Sequence, residues 1–214
     1  MKLTAFQYGK TELTKRAFFQ DGKPNEKNPI SLLFFLIETE NRKILVDVGC
    51  DTMPGFELFE FKKPVEALEE YIGREKITDV ILTHNHHDHV DALRYYPDAT
   101  VYINRDELPM TASITDKTRV CVFDDEIEVC HGVVVRCIGG HSKGSSVVEI
   151  GNIVLCGDEC YSKENLTSKI PTGASVCLEN SIKFVEKYGD NYETVLFHDP
   201  DVVGYIGYKV LFEE

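Results

Sequence analysis

The sequence has no apolar run long enough to cross a membrane. A membrane-spanning helix needs about 20 consecutive apolar residues, whereas the longest apolar run, Leu32–Ile37, has only the length of a β-strand. The first residues also lack the long apolar region and the small-residue cleavage site of a secretory signal. These absences predict a cytoplasmic protein that interacts with no membrane.

Positive charge is scarce in this chain. It has 23 lysines and arginines against 36 aspartates and glutamates, which gives a formal net charge of −13. A surface this acidic repels phosphate backbones, so we expect no nucleic-acid partner. The acidic residues are dispersed rather than collected in a tail, a distribution that favours solubility.

The chain also lacks paired cysteines, repeats and linkers. Its seven cysteines include no CxxC motif, and an odd number of thiols in a cytoplasmic protein predicts reduced side chains rather than disulfides. A chain of 214 residues suits one hydrophobic core. We therefore expect a single domain spanning residues 1–214, present as a monomer or a homodimer.

Short apolar segments predict strands in two groups, each accompanied by helices. Asp79–Thr83 is continuously apolar after its first residue, which is typical of a strand buried on both faces. Pro64–Arg74 and Glu179–Lys187 have the apolar periodicity of helices. Two facing sheets with helices outside would satisfy this order, which makes the predicted class an α/β sandwich. The other predicted strands are Ser31–Glu38, Lys43–Val48, Thr100–Ile103, Val120–Phe123, Ile127–Val129, Val133–Ile138, Ser145–Ile150, Ile153–Cys156 and Thr194–Phe197.

Four histidines and an aspartate follow the buried strand directly, in the segment HNHHDH that begins at His84. So many ionisable groups cannot fill a core without partners, and imidazole and carboxylate are ligands that suit zinc, iron or manganese. Residues i and i+2 of an extended segment point the same way, so His84 and His86 can converge on one cation. Asp88 and His89, at the start of the next helix, can reach a second cation.

Three isolated polar residues stand at the ends of later predicted strands. His141 lies in a glycine-flanked turn, Asp158 follows the strand Ile153–Cys156, and His198 follows the strand Thr194–Phe197. Each of them alone would more often be structural. Because α/β folds place their ligands at strand ends, the three residues and the histidine cluster together predict one metal site.

The order of these motifs, HxHxDH, then GH, then GD, then a late histidine, resembles the metallo-β-lactamase superfamily from about Ser31 to His198. The resemblance implies an αβ/βα sandwich of two facing mixed sheets with helices outside, and a dinuclear metal site. Asp47 matches an early aspartate of the family that orients the metal ligands by hydrogen bonds without binding the metal itself. By match of motifs, one metal ion is held by His84, His86 and His141, a second by Asp88, His89 and His198, and Asp158 bridges the two.

Two positions depart from the family pattern. Lys143 stands where the turn after the glycine-histidine pair usually has proline, and Phe197 precedes the last histidine where many relatives have glycine. Neither departure removes a ligand, but both leave the local loop shape open. The expected cofactors are two divalent metal ions, zinc first, with iron and manganese as alternatives because such sites accept all three.

A pair of cations that share a carboxylate would also share a water and lower its pKa, so that hydroxide attacks a carbonyl or phosphoryl group near neutral pH. The protein is therefore expected to be a metal-dependent hydrolase of a small-molecule substrate. Asp88 is placed to pass a proton to the leaving group, a hypothesis that makes it a catalytic residue as well as a ligand.

The segment CYSKEN, which begins at Cys160, resembles the quorum-quenching N-acyl-homoserine lactonases. The resemblance implies a lactone or related carboxylic ester as substrate, with the Tyr161 hydroxyl holding its carbonyl oxygen. Packing of a loop aromatic under the site is the alternative for Tyr161. The segment Asp51–Lys63 has four apolar side chains that are candidates for an acyl-chain surface or, equally, for core packing: Phe56, Leu58, Phe59 and Phe61.

Three other functions stay open. A thioester hydrolase resembling glyoxalase II has the same ligand set, but that family usually adds a C-terminal helical region, and few residues follow His198 here. A nuclease of this fold would carry an inserted domain and a basic surface. A non-hydrolytic di-iron redox or sensor module resembling the flavodiiron proteins would have glutamate where His86 stands.

Overall fold

Twelve strands, five α-helices and three short 3₁₀-helices make up the computed structural model, which describes residues 1–214. The 3₁₀-helices are Arg74–Lys76, Asp91–Tyr95 and Leu108–Met110. None of the helices has the length and apolar character needed to cross a membrane. The α-helices are α1 (Lys15–Phe18), α2 (Pro64–Glu69), α3 (His87–Val90), α4 (Lys163–Thr167) and α5 (Leu178–Tyr188). The strands are β1 (Lys2–Thr14), β2 (Lys27–Glu38), β3 (Lys43–Val46), β4 (Asp79–Ile81), β5 (Thr100–Asn104), β6 (Arg119–Phe123), β7 (Glu126–Cys130), β8 (Val133–Cys137), β9 (Ser146–Ile150), β10 (Ile153–Leu155), β11 (Glu193–Val195) and β12 (Gly207–Glu213).

The larger sheet has seven strands in the order β12-β1-β2-β3-β4-β5-β6. Its first four strands are antiparallel, and β2 and β3, both predicted as strands, form a hairpin with Phe35 opposite Val46. From β3 to β6 the strands are parallel. Parallel strands place their carboxyl ends at one edge of a sheet, so the loops that follow β3, β4 and β5 lie side by side.

The smaller sheet has five strands in the order β11-β10-β9-β8-β7. Strands β7 to β10 are antiparallel, and β11 returns parallel to β10. A two-residue turn joins β9 to β10 and places Ile150 opposite Ile153. Gly151 in this turn has φ of 59°, a left-handed conformation that glycine adopts without strain.

The apolar core has three layers because both faces of each sheet are covered. Successive residues of β2 point to opposite faces: Phe34 belongs to the cluster that includes Leu68 of α2, whereas Phe35 faces the smaller sheet and contacts Phe197. The outer face of the smaller sheet packs against α5 through residues such as Phe184. The continuous apolar run of β2 thus reflects burial on both sides, and the predicted sandwich of facing sheets with helices outside is confirmed.

Most predicted elements differ from the observed ones by a few residues at their ends. Two of these differences have a clear cause. The helix predicted over Pro64–Arg74 ends at Glu69, because the Leu68 carbonyl accepts the N–H groups of both Tyr71 and Ile72 in a tightened last turn. The strand predicted over Thr194–Phe197 ends at Val195, where pairing with β10 stops.

Candidate metal centre

Seven polar side chains meet at the edge where the strand ends of both sheets open to solvent. All of them are residues that the sequence pattern selects, and they come from four separate stretches of chain. Two sets form, and within each set the potential ligand atoms lie within 4.8 Å of one another. The first set is His84, His86, His141 and Asp158, and the second is Asp88, His89 and His198.

Asp158 lies between the two sets. Its Oδ1 is 3.2 Å from His89 Nε2 and 3.1 Å from His198 Nε2. Its Oδ2 is 3.8 Å from His84 Nε2 and 3.6 Å from His141 Nε2. One oxygen therefore faces each set, which is the arrangement that a carboxylate bridging two cations requires.

The buried imidazoles are oriented by acceptors behind them. In all four of them Nδ1 lies within hydrogen-bond distance of an oxygen, which leaves Nε2 directed into the cluster. His84 Nδ1 is 3.0 Å from the Thr83 hydroxyl oxygen. Neutral histidines that bind metals usually have this second contact. The other three contacts are His89 Nδ1 to Asp47 Oδ2 at 2.6 Å, His141 Nδ1 to the Ala174 carbonyl at 2.7 Å, and His198 Nδ1 to the Ser31 carbonyl at 2.9 Å.

Asp47 makes the contacts expected of a residue that supports the ligands from behind. It is fully buried directly after β3, and its backbone has φ of 57°, which few non-glycine residues adopt. Its Oδ1 accepts the Thr83 N–H, and its Oδ2 accepts the Thr83 hydroxyl, both at 2.8 Å. These bonds fix the start of the His84 segment as well as the His89 ring, so Asp47 serves both sets.

Three buried atoms of the cluster have no hydrogen-bond partner: His84 Nε2, His89 Nε2 and Asp158 Oδ1. An unsatisfied buried polar atom costs about 1–3 kcal/mol, and each one needs an explanation. All three atoms point at the same small region. Nitrogen and carboxylate donors that converge in this way fit divalent cations, so the structure indicates a dinuclear metal site.

The charges of the cluster favour a bound cation. Burial opposes ionisation of Asp158, but His198, His89 and His84 outweigh it and hold the pKa of this carboxyl well below its usual range. Burial, reinforced by the neighbouring imidazole of His89, lowers the pKa of His84 well below its usual value. Burial acts on His89 in the same direction, but Asp158 and Asp47 outweigh it and raise its pKa well above the usual value. A cation would therefore displace a proton on the His89 side.

Asp88 and Tyr161 both line the cavity in front of the cluster. Asp88 is half-buried, and its Oδ2 is 3.7 Å from His89 Nε2 and 3.8 Å from His198 Nε2. The Tyr161 hydroxyl donates to Asp158 Oδ2 at 2.6 Å, and the ring stacks on His198 at 5.4 Å. Burial, reinforced by Asp158, raises the pKa of Tyr161 well above 10, so its hydroxyl stays a proton donor.

The cavity in front of the cluster has a volume of about 360 Å³. One wall is apolar and includes Leu13, Met53, Pro54 and Phe56. Of the four apolar candidates of segment Asp51–Lys63, only Phe56 lines this cavity, with 43% of the residue exposed. The other three lie elsewhere: Leu58 and Phe61 pack against the core, and Phe59 lines a neighbouring groove.

Two buried glutamates next to the ligands are not indicated by any motif. Glu159 accepts the N–H groups of Gly140 and His141 at 3.2 Å each, together with the Ser145 hydroxyl. Burial raises the pKa of Glu159 to about 7. Its position directly after Asp158 at a strand end is the one signal that could have revealed it. Glu107 lies in a loop after β5, where the sequence has no distinguishing pattern.

Comparison with known proteins identifies the fold. Residues 33–107 match the family model described as the Metallo-beta-lactamase superfamily. No curated protein sequence matches the chain significantly. Among solved structures, the chain is similar to an N-acyl homoserine lactone hydrolase with the product N-hexanoyl-L-homoserine bound at its catalytic metal center, with 21% identity, a TM-score of 0.79, and coverage of 92% of this chain and 93% of that one.

Two further solved structures are similar over most of the chain. A mutant of AiiA from B. thuringiensis with N-decanoyl-L-homoserine at its active site has 21% identity and a TM-score of 0.80, with coverage of 92% of this chain and 93% of that one. AidC, described as a dizinc quorum-quenching lactonase, has 16% identity and a TM-score of 0.74, with coverage of 99% and 94%.

The fold and the arrangement of potential ligands thus resemble those of the metallo-β-lactamase superfamily. The chain has the fold of this superfamily, and the resemblance recognised in its HxHxDH, GH and GD motifs is confirmed. The similar structures include N-acyl homoserine lactone hydrolases, the group to which the CYSKEN segment also points. Together these matches show that the chain and the lactone hydrolases share one fold.

Metal binding is expected to stabilise the protein strongly. After removal of metal by a chelator, addition of Zn²⁺ at about a thousand times its dissociation constant should raise Tm by about 10 °C, because a ligand bound only to the folded state adds about 4 kcal/mol at that excess. The rise should shrink as the pH falls, since protons on His89 and His198 compete with the cation. Differential scanning calorimetry measures both effects. A Tm that Zn²⁺ leaves unchanged at neutral pH would contradict the metal site.

Proposed function

We propose that the protein is a dinuclear metal-dependent hydrolase that opens a lactone or a related carboxylic ester. The observation that supports this most directly is the position of Asp158, with one carboxylate oxygen facing each set of ligands. A pair of divalent cations, when bound, supplies a water of lowered pKa and polarises the ester carbonyl. In this proposal His84, His86 and His141 hold one cation, Asp88, His89 and His198 hold the other, and Asp158 belongs to both.

Asp88 and Tyr161 would act on the substrate itself. Asp88 lies at the cavity surface beside His89 and His198, so it can carry a proton to the leaving oxygen. Tyr161 keeps its proton, and its hydroxyl already donates to a carboxylate oxygen of the cluster. The same hydroxyl can exchange this bond for one to the substrate carbonyl oxygen as negative charge develops there. The stack on His198 restricts the ring and so reduces the cost of orienting it.

The lining of the cavity favours a neutral substrate with an apolar part. No lysine or arginine lines it, so the carboxylates of a glutathione group, which lie away from the scissile bond, would find no side-chain counter-charge there. The apolar wall around Met53 and Phe56 offers a surface for an acyl chain. This observation favours a lactone or ester over the glutathione-thioester alternative.

A comparison of substrate classes tests the proposal. Protein loaded with Zn²⁺ or Mn²⁺ would be assayed by pH-stat against acyl-homoserine lactones, simple esters, acylglutathione and a phosphodiester. We expect the highest kcat/KM for a lactone or neutral ester. Preference for acylglutathione would support the thioester alternative instead. Iron in the protein as purified, together with no hydrolysis across the whole panel, would favour the redox or sensor module.

Replacement of Tyr161 by phenylalanine is expected to lower kcat for lactone opening by about 10²-fold, because one donor to the developing oxyanion is lost. Metal content should stay that of the parent protein, since the phenol is not a ligand. Steady-state kinetics and elemental analysis measure the two quantities. An equal rate in Tyr161→Phe would mean that this aromatic only packs under the site.

A further inference from the structure

The Glu107 carboxylate lies between two loops that carry metal ligands. The residue is 1% exposed. Its Oε2 accepts the N–H of Asn85, the residue between His84 and His86, at 2.9 Å. Its Oε1 accepts the Ser142 hydroxyl at 2.8 Å and the Gly144 N–H at 2.7 Å, both just after His141. A single side chain thus joins the loop after β4 to the loop between β8 and β9.

The backbone of Glu107 is also held in place by hydrogen bonds. Its N–H donates to the Asn104 carbonyl at the end of β5, and its carbonyl accepts the Thr111 hydroxyl at 2.9 Å. The loop that contains Gly144 lies close to the end of β5: a Cβ on Gly144 would be only 2.4 Å from Asn104 Oδ1. The carboxylate therefore connects both ligand loops to a rigid point of the larger sheet.

The ligands that these loops carry need such support. His86 is the one exposed member of the first set, so few contacts of its own fix the ring. Its Nδ1 lies 2.9 Å from Nε2 of His141, which belongs to the other sheet. The spacing of the two rings depends on how the two loops sit relative to each other, and Glu107 is bonded to both loops.

We propose that Glu107 is a positioning residue that holds His86 and His141 at the spacing needed for the first cation. The inference rests on the dinuclear site of the proposed function. Hydrogen bonds to a buried, charged acceptor are the strong ones, so three of them to one carboxylate fix loop geometry effectively. Asp47 orients the His89 ring through a direct hydrogen bond. Glu107 instead acts through the backbone and side-chain donors of the two ligand loops.

Glu107→Gln is the sharpest test because it keeps the shape of the side chain. Glutamine retains one acceptor oxygen, so it can satisfy one loop while its NH₂ group faces an N–H donor of the other. We expect affinity for one of the two cations to fall about 10- to 100-fold, the usual effect of losing a support behind a metal ligand. Affinity for the other cation should change less than about threefold.

The measurement is competition between protein and a chelator for Zn²⁺, which gives two stepwise affinities, together with the visible spectrum of the Co²⁺-loaded protein. Glu149→Gln is the matched control, because Glu149 is a partly buried carboxylate bonded to Arg136 and Tyr188 away from the site. It should leave the affinities and the Co²⁺ spectrum unchanged. A merely structural Glu107 would lower the Tm of the metal-free variant and leave the ratio of the two affinities as in the parent.

Ser142→Ala is a milder second variant that keeps the test decisive if Glu107→Gln does not fold. It removes one of the two bonds that Glu107 accepts on the His141 side, and we expect about tenfold weaker binding of one Zn²⁺. Equal stepwise affinities in the parent and in either folded variant overturn the role of Glu107. If the parent protein binds no Zn²⁺, the metal site itself is wrong. This outcome differs from a failure of the Glu107 proposal alone, because it is seen before any residue is substituted.

Discussion

Asp158→Asn is expected to reduce hydrolysis by about 10³-fold or more and to lower the metal content to at most one ion per chain. The reason is geometric, since one oxygen of Asp158 faces His89 and His198 while the other faces His84 and His141. An amide nitrogen has no lone pair to offer a cation, so one set loses its shared ligand. Loss of one metal removes several kcal/mol of transition-state stabilisation.

Elemental analysis and steady-state kinetics on the same preparation measure this prediction. Asp199→Asn serves as a control, because Asp199 is a neighbouring buried carboxylate whose Oδ1 accepts the Asp201 N–H within its own turn. An amide oxygen can keep that bond, so metal content should stay at two ions. An Asp158→Asn protein with two bound ions and the parent rate would show that this carboxylate is not a ligand shared by the two cations.

Asp88→Asn is expected to slow the opening of alkyl lactones by about 10²- to 10⁴-fold, the usual contribution of a positioned proton donor. The size of the loss should depend on the leaving group. An alkoxide needs a proton as it departs, whereas a nitrophenolate leaves without one, so a p-nitrophenyl ester should lose much less rate. Asp88 belongs to the second ligand set as well, so metal content must be measured in parallel.

Two results would reject this role for Asp88. One is a variant with full metal content and the parent rate on alkyl lactones. The other is an equal loss on alkyl and p-nitrophenyl substrates, which would mean that the substitution acts through the cation rather than through a proton. The comparison of leaving groups therefore separates the catalytic part of the Asp88 proposal from its part as a ligand.

The sandwich and the metal cluster could be predicted from the sequence for a clear physical reason. Strands covered on both faces, such as β2, have continuous apolar runs, and side chains at strand ends are free to converge. The segment beginning at His84 combines many ionisable groups directly after a buried strand. A bound cation offsets the free-energy cost of burying so many polar groups together. The signal is therefore local, and the structure brings all seven selected residues together.

Features that depend on distant contacts could not be predicted. Glu107 is recognisable only when the loops after β4 and β8 are seen on either side of it. Strand β12 is held at the edge of the larger sheet by β1 alone, and its mixed polar sequence has no burial pattern to reveal it. The segment Asp51–Lys63 divides its apolar side chains between core and cavity, because backbone turns rather than periodicity direct them.

Both sheets contribute residues to each ligand set, and this has a mechanical consequence. His84, His86 and His89 extend from the larger sheet, whereas His141, Asp158 and His198 extend from the smaller one. A cation in either set would therefore cross-link the seam of the sandwich at its open edge. Opening motions that part the sheets there would break coordination bonds, so the seam should be the region whose amide exchange slows most when metal is added.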